Sequence, residues 1–191
     1  AEWAHIKDSP ETLTEEEVKR VKAYFTEPAY ESLDDATAEA SLSSQAQEHK
    51  AFSRWLERNT HPHRIPGYRI VTLSLKPTGV APGDVTDSQL EAIADLADQY
   101  SFSEIRATHN QNLVLADVKK SDLFALWQKA KVAGFATPNI GTLTDLICCP
   151  GGDFCSLANA KSIPVAEAIQ RRFDDLDYLY DLGDLTLNIS G

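Results

Sequence analysis

Two cysteines in the C-terminal quarter of the sequence are the residues best suited to chemistry. Cys149 and Cys155 flank a Pro-Gly-Gly-Asp-Phe segment. Their spacing alone fits either two structural cysteines or half of a metal site. Zinc sites favour more closely spaced pairs, and buried cysteines are often structural. The turn favours a metal site, since its backbone N–H groups can point at sulfur and a helix beginning at Cys155 would offer its positive end to a thiolate. The only other cysteine is the adjacent Cys148, so we expect further ligands to lie outside these 191 residues.

Composition narrows the possible functions. With 191 residues the chain can bury one full domain and part of another. Its formal net charge is -11, and no dense run of Lys or Arg marks a nucleic-acid-binding surface. The apolar runs are far shorter than the roughly 20 residues that cross a bilayer. Residues 1–5 show no secretory signal, so we expect a cytoplasmic protein with neither a nucleic-acid partner nor a membrane span.

Both ends of the sequence look cut. There is no methionine, even at position 1, and the last residues, 187–191, look like a strand that enters a glycine turn. Three cysteines, two of them adjacent, make a poor disulfide framework because the count is odd and neighbouring residues rarely bridge. We therefore expect reduced thiols or thiolates on a metal.

The N-terminal third is predicted to be helical. Thr14 and Glu17 form a capping box at the start of a short amphipathic helix. A second helix, of uneven amphipathicity, is predicted over 36–58. Turn-forming residues then predict a loop over 59–67, which is a candidate domain boundary.

The middle of the chain follows a strand, helix, hairpin, helix order. The predicted elements are a strand over 68–75, a helix capped by Thr86 and Gln89, strands over 104–108 and 112–116, and a helix from Ser121 that ends at Gly134. This order is most of a ferredoxin-like half-unit.

Three further elements complete the predicted α+β architecture: a strand over 141–147, a helix over 156–173 and a strand over 185–189. We divide the chain into a helical arm and linker (1–65), a ferredoxin-like half-domain (66–136) and an incomplete domain that carries the cysteine pair (137–191).

Three segments in the right order give residues 66–191 a family resemblance. Residues 106–113, Arg-Ala-Thr-His-Asn-Gln-Asn-Leu, resemble an R-x-T-x-N-Q-N-L hairpin; Cys149 and Cys155 resemble a first pair of cluster ligands; and 187–191 resemble the strand that leads into a C-x3-C pair. Together they resemble the second half of the sirohaem-dependent sulfite and nitrite reductases.

The resemblance implies the cofactors and the residues that would bind them. Cys149 and Cys155 would be two of four thiolate ligands of a [4Fe–4S] cluster, while Cys148 would be a small core residue without such a role. The predicted sirohaem-facing residues lie in the hairpin and after Cys155: Arg106, Thr108, Asn110, Gln111, Asn112 and Asn159. The alternative for the hairpin is a turn whose polar side chains satisfy backbone groups. Lys161 could also reach the cluster or the macrocycle, but a position on a solvated helix face explains this lysine equally well.

The resemblance implies six-electron reduction of sulfite to sulfide or of nitrite to ammonia, with electrons from a ferredoxin or a flavoprotein. The remainder of the same polypeptide would supply most of the active site, and the piece described by this sequence would be inactive alone. Two alternatives stay open: a non-catalytic ferredoxin-like binding module with structural cysteines, and a zinc site closed by another chain. His61 and His63 have no third ligand in the sequence, so we interpret them as surface residues.

Overall fold

The computed structural model describes Lys7, Ser9 and residues 12–191. The predicted absence of a signal over residues 1–5 therefore lies outside the described residues. The chain divides into two compact units, Ala1–Glu31 and Ser32–Gly191. None of the described helices combines the length and the apolar character needed to cross a membrane.

The first unit contains helix α1, Glu15–Lys22. The Thr14 hydroxyl accepts a hydrogen bond from the Glu17 N–H at 3.1 Å, which confirms the predicted cap. Three acidic residues occupy the first turn, where the helix dipole favours negative charge.

The second unit is built on a four-stranded antiparallel sheet in the order β1-β2-β4-β3. Its strands are β1 (Thr60–Pro62), β2 (Tyr68–Leu73), β3 (Arg106–Ala107) and β4 (Leu113–Lys119). The predicted loop over 59–67 is therefore wrong at its start, where β1 pairs with β2 as an edge strand. Three residues that include a proline carry no strand pattern, and an edge strand is one of the few places in a sheet where proline is tolerated.

Two helices pack on this sheet with the signals that the sequence predicted. Helix α4, Asp87–Tyr100, begins with a capping box between Thr86 and Gln89, and α5, Leu123–Ala133, ends at Gly134. Gly134 has φ +90°, a left-handed conformation that glycine adopts without steric cost.

The helical segment before the sheet joins the same core. It forms two helices, α2 (Asp35–Glu48) and α3 (Lys50–Asn59), and not the single predicted helix, because the backbone at His49 leaves the helical region. Phe52 and Trp55 are fully buried and belong to the same hydrophobic core as residues of the sheet and of α5. The predicted domain boundary after residue 65 thus falls inside this compact unit.

The last part of the chain has a small parallel sheet of β5 (Ile147–Cys148) and β6 (Asn188–Ile189). The helices α6 (Ser162–Arg172) and α7 (Leu176–Leu182) lie between these strands in sequence. Both strands are shorter than predicted, and the predicted helix over 156–173 begins six residues late. A helix starting at 156 would place Pro164 in its interior, whereas a start at Ser162 keeps the proline in the first turn.

Phe52 and Phe25 provide a matched test of this core. Phe52 is 0% exposed, whereas Phe25 is 80% exposed. We expect Phe52→Ala to lower the free energy of unfolding by about 3–5 kcal/mol because it leaves a cavity among packed aromatic rings. Phe25→Ala should change it by less than about 0.5 kcal/mol. Urea unfolding of both variants would measure the difference, and equal losses would place Phe52 outside the core.

Candidate functional site

The Cys149 thiol lies in a pocket of hydrogen-bond donors directly after β5. Its sulfur accepts the Gly191 N–H at 3.1 Å and lies 3.2 Å from the Ser162 hydroxyl. The Cys149 N–H donates to the Ile189 carbonyl at 3.0 Å, which ties the residue to β6. The Ser162 hydroxyl first, and the Gly191 N–H second, lower the pKa of Cys149. These contacts favour the thiolate, the form that binds metals.

Gly151 lets the chain turn closely around this pocket. Its φ is +59°, and a Cβ there would lie 2.6 Å from the Ser162 nitrogen, so no other residue fits without a shift. The Gly151 carbonyl accepts the Cys155 N–H at 2.9 Å. The glycine therefore links the positions of the two cysteines.

The predicted helix start at Cys155 is wrong. A short 3₁₀ helix over Gly151–Asp153 and further turns separate this cysteine from α6. The first residue of α6 is Ser162, and its hydroxyl contacts Cys149. The positive end of the helix therefore lies at a serine that contacts Cys149, and not at Cys155.

Cys148 differs from its neighbour Cys149 both in burial and in the direction of its pKa shift. Its side chain is buried in a small apolar core with Leu146 and Ala166. Burial, and secondarily the charge of Cys149, raise the pKa of Cys148. The prediction that Cys148 is a small core residue is therefore consistent with its surroundings.

Two of the predicted cofactor-facing residues satisfy groups inside the protein. The Thr108 hydroxyl donates to the Asn112 carbonyl and accepts from the Asn112 N–H, both at 3.1 Å. The buried Asn112 side chain donates to Asp145 at 2.9 Å and accepts from the Leu75 N–H at 3.2 Å. The contacts of Thr108 and Asn112 are those of the alternative interpretation, a turn whose polar side chains satisfy groups within the protein.

Gln111 connects the hairpin to the cysteine segment. Its Nε2 donates to the Cys148 carbonyl at 2.8 Å, and its Oε1 accepts the Cys148 N–H at 2.9 Å. Its backbone has φ +56°, which is uncommon for a residue with a side chain. This clamp was not foreseen from the sequence.

The other three predicted contacts lie on or near the surface. Arg106 is exposed on the edge strand β3 and pairs with Glu104, and Asn159 is exposed in the turn before α6. Asn110 is half-buried, and its backbone carbonyl accepts a hydrogen bond from Lys76. Contact between these residues and sirohaem stays a prediction.

A buried ion pair lies below the hairpin and was missed by sequence reasoning. The Lys76 ammonium is 2.6 Å from an Asp145 carboxylate oxygen, and both side chains are buried. Burial lowers the pKa of Lys76, while the charge of Asp145 acts in the opposite direction. A lysine at the end of an apolar strand gives no signal for burial, because lysine is almost never fully buried unless it is paired.

A cleft of about 320 Å³ separates the hairpin from the cysteine turn. Its lining includes Thr108, Gln111, Pro150 and Phe154. The Phe154 side chain is largely exposed. The cleft thus combines polar groups of the hairpin with apolar surface beside Cys149.

The histidines of the predicted loop do not form a metal site together. His61 is exposed on β1, whereas the His63 side chain is buried and its Nε2 lies 3.1 Å from a buried Asp117 oxygen. The interpretation of His63 as a surface residue is wrong, because the antiparallel pairing of β1 and β2 brings this segment over the sheet. Within the part of the chain that the structure describes, no three His, Cys, Asp or Glu side chains are grouped to hold a metal ion.

Residues 66–133 match the family described as the nitrite/sulfite reductase ferredoxin-like half domain. The matched range contains β2, α4, the hairpin and α5, and it includes both Gln111 and Lys76. The chain belongs to the sulfite/nitrite reductase family.

Several curated proteins align beyond this half domain. Sulfite reductase (ferredoxin) 2 of Mycolicibacterium paratuberculosis is 31% identical over 137 residues, which cover 69% of this chain and 24% of that protein. The chloroplastic ferredoxin–nitrite reductase of Betula pendula is 29% identical, with 69% and 23% covered. The NAD(P)H nitrite reductase of Bacillus subtilis is 32% identical, with 50% and 12% covered. The chain thus spans at most about a quarter of these family members.

The fold agrees with that of a solved family structure. The NirA protein of Mycobacterium tuberculosis superimposes with a TM-score of 0.52 at 23% sequence identity, over 68% of this chain and 24% of that one. The likeness supports the α+β, ferredoxin-like architecture derived above.

The Ser162 hydroxyl can be tested as the main cause of the lowered pKa of Cys149. In Ser162→Ala the thiolate loses a donor, so the pKa of Cys149 should rise and its thiolate fraction at neutral pH should fall. We expect iodoacetamide to alkylate Cys149 more slowly in this variant. Tandem mass spectrometry on the metal-free chain would measure the rate of alkylation across pH 6–9. Ser156→Ala, an exposed serine beside Cys155, should leave the profile unchanged, and an equal effect of both variants would contradict the assignment.

The Lys76–Asp145 pair yields a stability prediction. Lys76→Met leaves the Asp145 carboxylate buried without its cation, so the free energy of unfolding should fall by about 3–5 kcal/mol. Arg171→Met removes one end of an exposed pair with Glu167, and it should lower the free energy of unfolding by less than about 1 kcal/mol. Chemical denaturation of both variants would measure the contrast, and similar small losses would show that Asp145 is solvated in the folded state.

Proposed function

We propose that this chain is part of a sirohaem- and [4Fe–4S]-dependent reductase that reduces sulfite to sulfide or nitrite to ammonia. The observation that carries the proposal is the thiolate-favouring pocket of Cys149, which is joined through Cys148 to the hairpin of a sulfite/nitrite reductase half domain. The names of the related proteins support both substrates.

The cysteine turn suits a cluster ligand pair in chemistry. The Cys149 sulfur accepts the Gly191 N–H and lies within hydrogen-bond distance of the Ser162 hydroxyl, and hydrogen bonds to sulfur are a main control of cluster potential. Cys155 follows on the same turn and is partly exposed. We assign both as ligands; since such clusters take four thiolates, two more must come from other parts of a complete polypeptide.

The cofactors would supply the electron transfer, and the residues of this chain would hold and orient them. Sirohaem carries many carboxylates, for which an arginine fork is a suitable partner. We assign these contacts to Arg106, which also pairs with Glu104, and to Asn110 and Asn159, which lie near the surface. Thr108 and Asn112 would act indirectly, by fixing the hairpin.

The partners follow from the same proposal. The electron donor would be a ferredoxin or a flavoprotein, in line with the ferredoxin and NAD(P)H in the names of the related proteins. We propose that the complete enzyme is cytoplasmic. We expect this chain alone to be inactive because a [4Fe–4S] cluster needs four thiolates, whereas the chain contains three cysteines, one of them buried in the core.

Alanine substitution of each cysteine tests the ligand assignment. In a complete polypeptide purified without oxygen, we expect the absorption bands of sirohaem, about four sulfide per chain and about five iron per chain, of which four belong to the cluster and one to the sirohaem. Cys149→Ala and Cys155→Ala should each reduce iron and acid-labile sulfide to below about a quarter of those values, because the cluster needs all four thiolates.

Cys148→Ala is the matched control, since it keeps a small apolar side chain in the core and should retain the cluster. A colourless, folded protein from cells able to make sirohaem would overturn the proposal in favour of a binding module with structural cysteines. Zinc in place of iron would favour a zinc site closed by another chain.

A further inference from the structure

The strand that leads to Cys149 has two hydrogen-bonding edges. On one edge, the Ile147 and Cys149 N–H groups donate to the Leu187 and Ile189 carbonyls of the β6 segment, at 2.9 and 3.0 Å. Since successive residues of a strand present their backbone groups to opposite edges, Cys148 faces away from β6. The Gln111 carboxamide occupies that second edge and satisfies both backbone groups of Cys148.

The hairpin holds the Gln111 side chain in this position. The Asn110 carbonyl accepts a hydrogen bond from the buried Lys76 ammonium. The residue after Gln111, Asn112, donates its side-chain amide to Asp145 at 2.9 Å. Gln111 itself has a left-handed backbone, and Gly83 packs so closely against it that a Cβ there would lie 3.2 Å from the Gln111 Cβ. Such a backbone persists only where its surroundings enforce it.

We propose that Gln111 is a positioning residue for the Cys149 ligand and acts through the backbone of Cys148. A carboxamide can imitate a paired strand because it presents an N–H donor and a carbonyl acceptor side by side in one plane. With β6 on one edge and Gln111 on the other, the backbone that enters Cys149 is fixed from both sides. This inference rests on the proposed function, and it replaces the predicted role of Gln111 as a direct sirohaem contact.

Amide hydrogen exchange on the metal-free 191-residue chain tests the clamp without any cofactor. In Gln111→Ala the Cys148 N–H loses its acceptor, and we expect its exchange, measured by NMR, to accelerate about tenfold or more. The Cys149 N–H should also accelerate, because one edge of β5 becomes free. Gln128→Ala, which truncates an exposed glutamine on α5, should change neither amide.

Cluster spectroscopy on a complete polypeptide tests the effect on the ligand. We expect Gln111→Ala to shift the midpoint potential of the cluster and its electron paramagnetic resonance g values, with far-UV circular dichroism unchanged. Gln128→Ala should leave both readouts at their wild-type values. A purely structural glutamine would lower thermal stability without moving either readout.

The outcomes separate this inference from the proposed function. Unchanged exchange at Cys148, or faster exchange with an unshifted cluster, would overturn the positioning role even if the cluster is present. If the unmodified protein bound no cluster, the proposed function would fail, and the exchange of the Cys149 amide would alone decide whether Gln111 fixes that residue.

Discussion

The buried ammonium of Lys76 is the constraint on which the site depends. A charge taken out of water must be paired and hydrogen-bonded, and the partners of this lysine come from separate segments. The Asp145 carboxylate lies two residues before β5, and the Asn110 carbonyl lies in the β3–β4 hairpin. One side chain, three residues after the end of β2, therefore holds together the hairpin and the segment that leads into β5.

Asp145 extends this constraint in two directions. One of its oxygens accepts from Lys76 and from the Asn112 amide, and the other accepts the Gly141 N–H at 3.0 Å. A nearby buried amide, Asn139, binds the Ser74 hydroxyl at 2.7 Å and donates to the Lys76 carbonyl. In a low-dielectric interior, such a satisfied network fixes geometry because any displacement leaves a polar group unpaired. The half domain and the cysteine segment are thereby joined by polar contacts.

Features that depend on neighbouring residues were predicted well, and features that depend on distant ones were not. The capping box at Thr86 and the glycine end of α5 were predicted because each is written in a few consecutive residues. The Lys76–Asp145 pair joins residues that are 69 positions apart, and nothing in either local sequence shows that they meet. The start of α6 could have been predicted from Pro164, whose position in the first turn is a local signal. For the site, the cysteine pair and the hairpin were visible as motifs, but the contact between them exists only in the fold.

The adjacent cysteines show why register decides chemistry here. In a strand, neighbouring side chains point to opposite faces, so a slip of one residue would move Cys148 into the environment that Cys149 occupies. The buried thiol has a raised pKa and the other a lowered one, so such a slip would place the wrong sulfur beside Ser162. A two-residue strand has little pairing of its own with which to resist slippage. A side chain that engages both backbone groups of Cys148 supplies that resistance, because its donor and acceptor fit only one residue of the strand.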